Sequence, residues 1–280
     1  MKNRSIYESL PPSLGWLAWY AALGVDEAMS EEAICHFVEP ATRPTAPTVA
    51  PTRVAAMRPI APRGEPIVAP PQNPSAGLRG LAEAKTRAAA SQSIPELFAA
   101  IDGFDLCPLH RTAEKTVIGD GVSPDAGQVK VMVVGGVPDE EEDKQGIAFG
   151  SREGKSLDQI LATIDLSRQG NCYLAKAIFW RPPGQREPTA QEIALCRPFL
   201  FRLIELVRPH YLLVLDSIAA EVVSGKPVEV VTMRGQWLTE PYLQIPTLVT
   251  FSPKTIANSA VKKKLVWRDL LKLQAKIIAG

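Results

Sequence analysis

The chain has 280 residues, 46% of them hydrophobic, and a formal net charge of +1 at pH 7. This length supports one domain of up to about 250 residues with appendages, and the small charge excludes a global attraction to nucleic acid or membranes, so any DNA affinity requires a local basic patch. Four cysteines are too few for a disulfide framework. They indicate reduced thiols in a cytoplasmic protein. The start has no signal-peptide pattern and no apolar run approaches about 18 residues, so we expect no membrane span. We also expect a monomer.

Residues 1–76 are predicted to form an appendage in two parts. Apolar residues recur at helical spacing over 14–23, which predicts a short helix within 1–38 that can dock on a protein partner. Ten prolines follow from Pro40 to Pro74, and four arginines face one acid between them. Residues 39–76 are therefore predicted to be a disordered linker, either a solvated tether or a weak phosphate- or protein-binding arm.

Helical and strand patterns alternate from residue 77 to residue 280, which we predict to be one domain. In chain order the patterns are a helix at 77–104 broken near 93–95, a strand at 129–134, a helix at 154–164, a strand at 172–178, a helix at 189–207, a strand at 210–216, a helix at 218–224, a strand at 247–251 and a helix at 261–278. The strands are apolar along both faces. They predict an α/β fold, a three-layer α/β/α sandwich around a central, mainly parallel four-stranded sheet.

Ligands of such sheets bind beyond the carboxyl ends of the strands. The first of these ends runs into VVGGVPDEEEDKQGIAFG, a Gly-rich turn that carries no reactive side chain before Asp139. The other strand ends fall at 176–183, 216–217 and 251–254. The sequence thus predicts the mouth of a site whose first turn is chemically empty.

These four strand ends, taken together, resemble family 4 of the uracil-DNA glycosylases over about Phe104 to Leu273. The stretch RPPGQREPTAQEIALCRPFLFRLIELVRPHYLLVLDSIAAEVV is similar to the family's central signature, MRGQWL and IPTLVTFSP to its closing segments, and KKLVWRDLLKL to its last helix. The resemblance implies the three-layer fold. It also implies an enzyme that flips a base out of DNA and hydrolyses its N-glycosidic bond.

Three of the four functional side chains that the resemblance implies are replaced. The family's water-activating Glu aligns with Gly136, its base-reading Asn with Lys176, and the His that donates to the departing base with Ser252. Only the aromatic ring that stacks on the base is present, as Phe149. The resemblance therefore implies that no catalytic set is intact. Losing even one oxyanion donor typically costs about 2.7–4 kcal/mol of transition-state stabilisation, so little activity is expected.

The turn around the missing Glu keeps part of the family's pattern. Gly135 and Pro138 are expected, with Phe149, to bind the base. Asp139 replaces the family's last Gly and is a candidate substitute for the lost acid. The acids at 140–143 fit either the acidic first turn of a helix or a solvated loop.

Lys176 leaves several roles open. It can bind a phosphate, pair with Asp139 or Asp216, or act as a nucleophile if its pKa is depressed. Asp216 itself stands where relatives usually have Gly, which is expected to narrow the pocket.

Basic and proline-rich loops near the predicted mouth are expected to hold DNA phosphates weakly, since acids lie on the same face. The residues are Arg181, Pro182, Pro183, Arg234, Pro253 and Lys254.

The resemblance also implies a four-iron cluster held by four thiolates, and only two are present. Cys107 and Cys196 match, while the other two positions are Phe104 and Trp180. Two thiolates cannot hold such a cluster, and aromatic rings can fill the space that it leaves. We predict that the protein has no cofactor.

Three functional hypotheses follow. The first is a catalytically degenerate, DNA-repair-related module that binds DNA or protein. The second is an active DNA glycosylase with relocated catalytic residues. The third is a pure protein-interaction module that docks through 14–23 or the linker.

Overall fold

The computed structural model describes residues 74–122, 128–239 and 242–279. The predicted N-terminal helix within 1–38 and nearly all of the linker at 39–76 lie outside the described residues. Both segments, and the protein partner expected to bind them, therefore stay predictions.

Within the described residues the sheet has six strands in the order β1-β3-β2-β4-β6-β5. The strands are β1 (Gly119–Gly121), β2 (Val131–Gly135), β3 (Cys172–Lys176), β4 (Tyr211–Leu215), β5 (Trp237–Thr239) and β6 (Pro246–Thr250). The four central strands β3, β2, β4 and β6 are parallel, whereas β1 and β5 pair antiparallel at the edges. The predicted parallel core is confirmed. The count of four was wrong, because the edge strands have three residues each and β1, Gly-Asp-Gly, has no apolar pattern to find.

Helices cover both faces of this sheet. They are α1 (Pro74–Ala90), α2 (Ile94–Asp102), α3 (Glu140–Gln145), α4 (Arg152–Ala162), α5 (Ala190–Val207), α6 (Ser217–Ser224), α7 (Val230–Met233), α8 (Pro253–Ile256) and α9 (Ala260–Ala279). One layer contains α1, α2, α5 and α6, which pack on one another, and the other contains α4, α8 and α9. Right-handed crossovers put α4 and α5 on opposite faces, since β3 and β4 lie on opposite sides of β2. The predicted three-layer sandwich is confirmed.

Local sequence explains where the main helices begin. Thr189 accepts a hydrogen bond from the Glu192 amide, and the Glu192 carboxylate accepts one from the Thr189 amide, so the predicted capping box at α5 is present. Ser93 caps α2 and Pro95 follows in its first turn, which accounts for the break predicted near 93–95. The five-residue central strands are buried along their whole length, except at Pro246. None of the helices in the described ranges is both long and apolar enough to cross a bilayer.

Candidate active-site cleft

The carboxyl ends of β2, β3, β4 and β6 converge on a cleft of about 310 Å³. Its walls come from the turn after β2, from Lys176, Asp216 and from the segment after β6. Of the residues predicted for base binding and catalysis, the cleft is lined by Gly135, Pro138, Asp139, Phe149, Lys176 and Ser252. Gly136 lies in the same turn but is not among the residues that line the cleft. The structure thus brings together the strand ends that the sequence pattern predicted to meet.

Asp139 and the acids after it form the start of α3. The Asp139 side chain accepts a hydrogen bond from the Glu142 amide at 2.9 Å, and the Glu142 carboxylate accepts one from the Asp139 amide at 2.8 Å. Of the two alternatives for 140–143, the structure shows the acidic first turn of a helix, where carboxylates complement the helix dipole. Asp139 lines the cleft, but its carboxylate already serves as the N-cap of this helix.

Lys176 forms a buried ion pair with Glu142. Its Nζ lies 2.8 Å from Glu142 Oε2, and the two side chains are only 8% and 1% exposed. Of the roles left open for Lys176, the structure shows an ion pair, but with Glu142 and not with Asp139 or Asp216. The carboxylates of Asp139 and Asp216 accept hydrogen bonds from backbone amides. Glu142, on the buried side of α3, is the acid that the lysine stem reaches.

The Phe149 ring lines the cleft beneath this ion pair. Lys176 Nζ lies 4.0 Å from the ring centroid, over its face. The backbone of Phe149 is in the left-handed region at φ 54°, and its amide donates to Glu142 Oε1 at 2.5 Å. The Arg168 guanidinium donates to the Phe149 carbonyl at 3.1 Å and also binds Asp158 and Asp120. The ring is thus held firmly, and a base that stacks on the face under Lys176 has to displace the ammonium group.

Replacing Lys176 with Met is expected to lower the free energy of unfolding by about 3–5 kcal/mol, because the substitution leaves the Glu142 carboxylate buried without its cation. Lys144→Met is a matched control, since Lys144 pairs with Glu140 at 2.7 Å but both side chains are 55% exposed, and such surface pairs contribute little. Urea-induced unfolding followed by circular dichroism measures both. If both substitutions lowered the free energy of unfolding by the same small amount, Lys176 and Glu142 would not form a charged, desolvated pair.

Gly136 follows β2 and Asp216 follows β4, and the Asp216 side chain fills the space next to the Gly136 backbone. The Gly136 amide donates to Asp216 Oδ2 at 2.9 Å, and the Ala219 amide donates to Oδ1 at 2.9 Å, so Asp216 also caps α6. A Cβ atom on Gly136 would lie 2.7 Å from Asp216 Oδ1 and 3.0 Å from Oδ2. Burial raises the pKa of the Asp216 carboxyl. The Asp216 carboxylate therefore stands where a side chain at 136 would have to begin.

The backbone of Asp216 is strained in this position. Its φ of 80° and ψ of 168° fall in a region that is populated almost only by glycine. Such strain is of the order of 1–3 kcal/mol and persists only when surrounding contacts fix the conformation. The two amide hydrogen bonds to its carboxylate are the contacts that do so here.

Ser252 also has a structural role. It is the N-cap of α8, and its hydroxyl oxygen accepts a hydrogen bond from the Thr255 amide and lies 3.0 Å from Thr255 Oγ1. A serine at this position ends near the helix that it caps, whereas a histidine ring would extend further into the cleft.

The residues predicted to bind DNA are only partly at the cleft. Arg181, Pro182, Pro253 and Lys254 line it, whereas Pro183 begins a short 3₁₀ turn just beyond. Arg234 does not reach the cleft: its guanidinium donates to Asp269 and to the Leu265 carbonyl. DNA binding by these residues stays a prediction, and Arg234 is the one whose side chain is directed elsewhere.

Glu153 is a cleft residue that the sequence analysis missed. It lies in the first turn of α4 and lines the cleft with its carboxylate half-buried, and burial raises the pKa of this carboxyl. The only available signal was its position four residues after Phe149, on a helix that starts at the cleft.

Two cysteines and several aromatic rings fill the place where the resemblance implies an iron-sulfur cluster. Cys107 and Cys196 are fully buried and their thiols interact, and burial raises the pKa of Cys196. Phe104 and Trp180 are also buried, and each ring makes edge-on contacts with Phe rings of the core. In the described part of the chain, no three His, Cys, Asp or Glu side chains are grouped so that they could hold a metal ion. The residues present do not fit a cluster that needs four thiolates.

Comparison with known proteins supports the resemblance. Residues 123–271 match the family model described as "Uracil DNA glycosylase superfamily". A type-4 uracil-DNA glycosylase of Thermotoga maritima is 35% identical over 177 residues, which cover 61% of this chain and 88% of the relative. One from Pyrobaculum aerophilum is 29% identical over 183 residues, which cover 63% of this chain and 91% of the relative. The family-model match covers β2 to β6 and all four strand ends that form the cleft.

Proposed function

Because the chain belongs to the uracil DNA glycosylase superfamily, we propose that it acts in DNA repair as a DNA-binding protein that no longer excises uracil. One observation carries this proposal. Each of the three positions where the family has Glu, Asn or His is engaged in a structural contact: Gly136 with Asp216, Lys176 with Glu142, and Ser252 with Thr255.

The loss of these groups removes the chemistry that uracil release needs. Without a carboxylate at 136 no group at that position orients water against the sugar. Ser252 donates at most one hydrogen bond and cannot become cationic, so the departing uracil anion is poorly stabilised. Lys176 in addition covers one face of the Phe149 ring. These effects act on one transition state and need not add, but each works against excision.

The cleft retains features that suit a DNA strand. Arg181 and Lys254 line it, and in a cleft their cations can pair with phosphates. Glu140 lies 3.5 Å from Arg181 Nη2 and partly neutralises it. We therefore propose weak, salt-dependent binding through the Arg181 and Ser252–Lys254 loops.

The test combines binding and catalysis on one preparation. Wild-type protein is expected to bind a labelled single-stranded oligonucleotide, with or without uracil, and to release no uracil above background. Arg181→Gln with Lys254→Gln should weaken binding and flatten its dependence on salt. Release of uracil by the wild type, or binding that does not respond to salt, would overturn the proposal.

A second candidate function is favoured by two acids at the cleft. Glu153 and Asp216 both line it, and burial raises the pKa of each carboxyl toward values useful for acid–base catalysis. An active glycosylase for another base would use one of them, or Asp139, in place of the missing Glu. In that case Glu153→Gln or Asp216→Asn, rather than changes at Lys176, would abolish base release.

We also propose that the protein holds no iron-sulfur cluster. The aromatic packing of Phe104 and Trp180, and the presence of thiols at only two of the four implied cluster positions, Cys107 and Cys196, support this. Iron and sulfide analysis of the preparation used for the binding assay tests it.

A further inference from the structure

The exposed face of α9 carries four cations at regular spacing, here called the cation ladder: Lys264, Arg268, Lys272 and Lys276. Four residues of an α-helix advance about 6 Å and turn about 40° around the axis. The ladder is therefore a gently turning row of positive charge, roughly 18 Å long. All four residues are exposed.

Most of the cation ladder has no acid to balance it on its own helix. Asp269 is the one acid in α9, and it is fully buried and paired with Arg234, while Lys272 also interacts with it electrostatically. Lys272 donates to the Gly235 carbonyl and Lys276 lies over the Trp237 ring. Within the described ranges, Lys264 and Arg268 form no ion pair. Like charges four residues apart repel each other on a helix, and a bound polyanion removes that repulsion.

The cation ladder lies on the helix that follows the cleft-lining segment after β6. Lys254 lines the cleft, and α9 begins four residues after α8 ends. At the other end the Tyr211 hydroxyl, at the start of β4, donates to the Lys276 carbonyl. The helix therefore runs from the carboxyl edge of the sheet to its amino edge, along the side of the domain.

We propose that the cation ladder is a second binding surface for single-stranded DNA, whose backbone leaves the cleft past Lys254 and continues along α9. This inference rests on the proposed DNA binding at the cleft. A duplex is stiff over about 150 base pairs and cannot turn from the cleft down the side of the domain, whereas a single strand can. Exposed Val261, three positions before Lys264, and Leu271, three positions after Arg268, lie beside the ladder and offer the unstacked bases of the strand an apolar surface.

The test compares the full chain with Lys264→Gln/Arg268→Gln, on a short oligothymidine that fills only the cleft and on one several times longer. A matched control, Arg79→Gln/Lys85→Gln, removes the same charge from the exposed side of α1 in the opposite helical layer. Each phosphate contact to a single strand contributes about 0.7 to the slope of log K against log salt. On the long strand, the salt-dependence slope of the ladder variant should be smaller than that of the wild type by about 1.4, whereas the slope of the control should not change. On the short strand, the ladder variant should keep the affinity of the wild type.

The outcomes separate this inference from the proposed function. Weakened binding in Arg181→Gln/Lys254→Gln but an unchanged slope in the ladder variant would overturn the ladder alone. No binding of either oligonucleotide by the wild type would overturn both. If polyglutamate of matched charge displaces the long strand at equal concentration, the ladder binds acidic protein surfaces and the DNA assignment is wrong.

Discussion

Gly136→Glu alone is expected to lower the free energy of unfolding by roughly 3 kcal/mol or more. Its Cβ would lie 2.7 Å from Asp216 Oδ1, and the new carboxylate would meet one already held in the cleft wall. Asp216→Gly should relieve the clash, so that the same Glu in that background costs about 1 kcal/mol or less. Urea-induced unfolding of the two single variants and the double variant measures the coupling between the positions.

Two control variants are needed to interpret this double-mutant cycle between positions 136 and 216. Asp216→Gly by itself removes the N-cap of α6, worth about 1 kcal/mol, but relieves backbone strain of similar size, so its stability should stay near that of the wild type. Gly136→Ala introduces the crowded Cβ without a second charge and should cost less than Glu. Free energies that add within about 0.5 kcal/mol would show that the two positions are independent.

Restoring the family's catalytic groups is expected to produce uracil release only when Asp216 is also removed. We expect Gly136→Glu/Lys176→Asn/Ser252→His to stay inactive and the same variant with Asp216→Gly to release uracil from single-stranded DNA at least about 100-fold faster than the wild type. The magnitude follows from the factor of about 10²–10³ that one oxyanion donor contributes. Lys176→Asn also breaks the ion pair with Glu142, so the assay is run at a temperature where circular dichroism shows all variants folded.

Uracil release by the restored variants, with and without Asp216→Gly, tests whether Asp216 obstructs the catalytic position at 136. Equal activity with and without Asp216→Gly would show that Asp216 does not obstruct the position of the catalytic Glu. Activity in the wild type would reject the degenerate cleft and direct attention to Asp139, Glu153 and Asp216. Inactivity of both variants would mean that the cleft differs from an active pocket by more than these four positions.

Much of the fold was accessible from sequence because its signals are local. Apolar five-residue strands, the capping box at Thr189 and the break before Pro95 each depend on a few neighbouring residues. The position of Phe149 at the cleft was implied by the family resemblance, and the structure places its ring there.

The contacts that decide the character of the cleft were not accessible, because they join distant residues. Lys176 and Glu142 lie 34 positions apart, and the choice among several nearby acids depends on which face of α3 is buried. Gly136 and Asp216 lie 80 positions apart. Each was noted separately as a departure from the family, but only the three-dimensional structure shows that the two departures fill one space.

The short edge strands have a consequence for behaviour in solution. A sheet edge presents unpaired amide and carbonyl groups that can recruit a second chain, and a net charge of +1 gives little mutual repulsion between molecules. Here the four apolar parallel strands are flanked by strands of only three residues, and β1 carries Asp120, which pairs with Arg168. The short edge strands thus limit edge-to-edge aggregation, which the weak charge repulsion between molecules does not prevent.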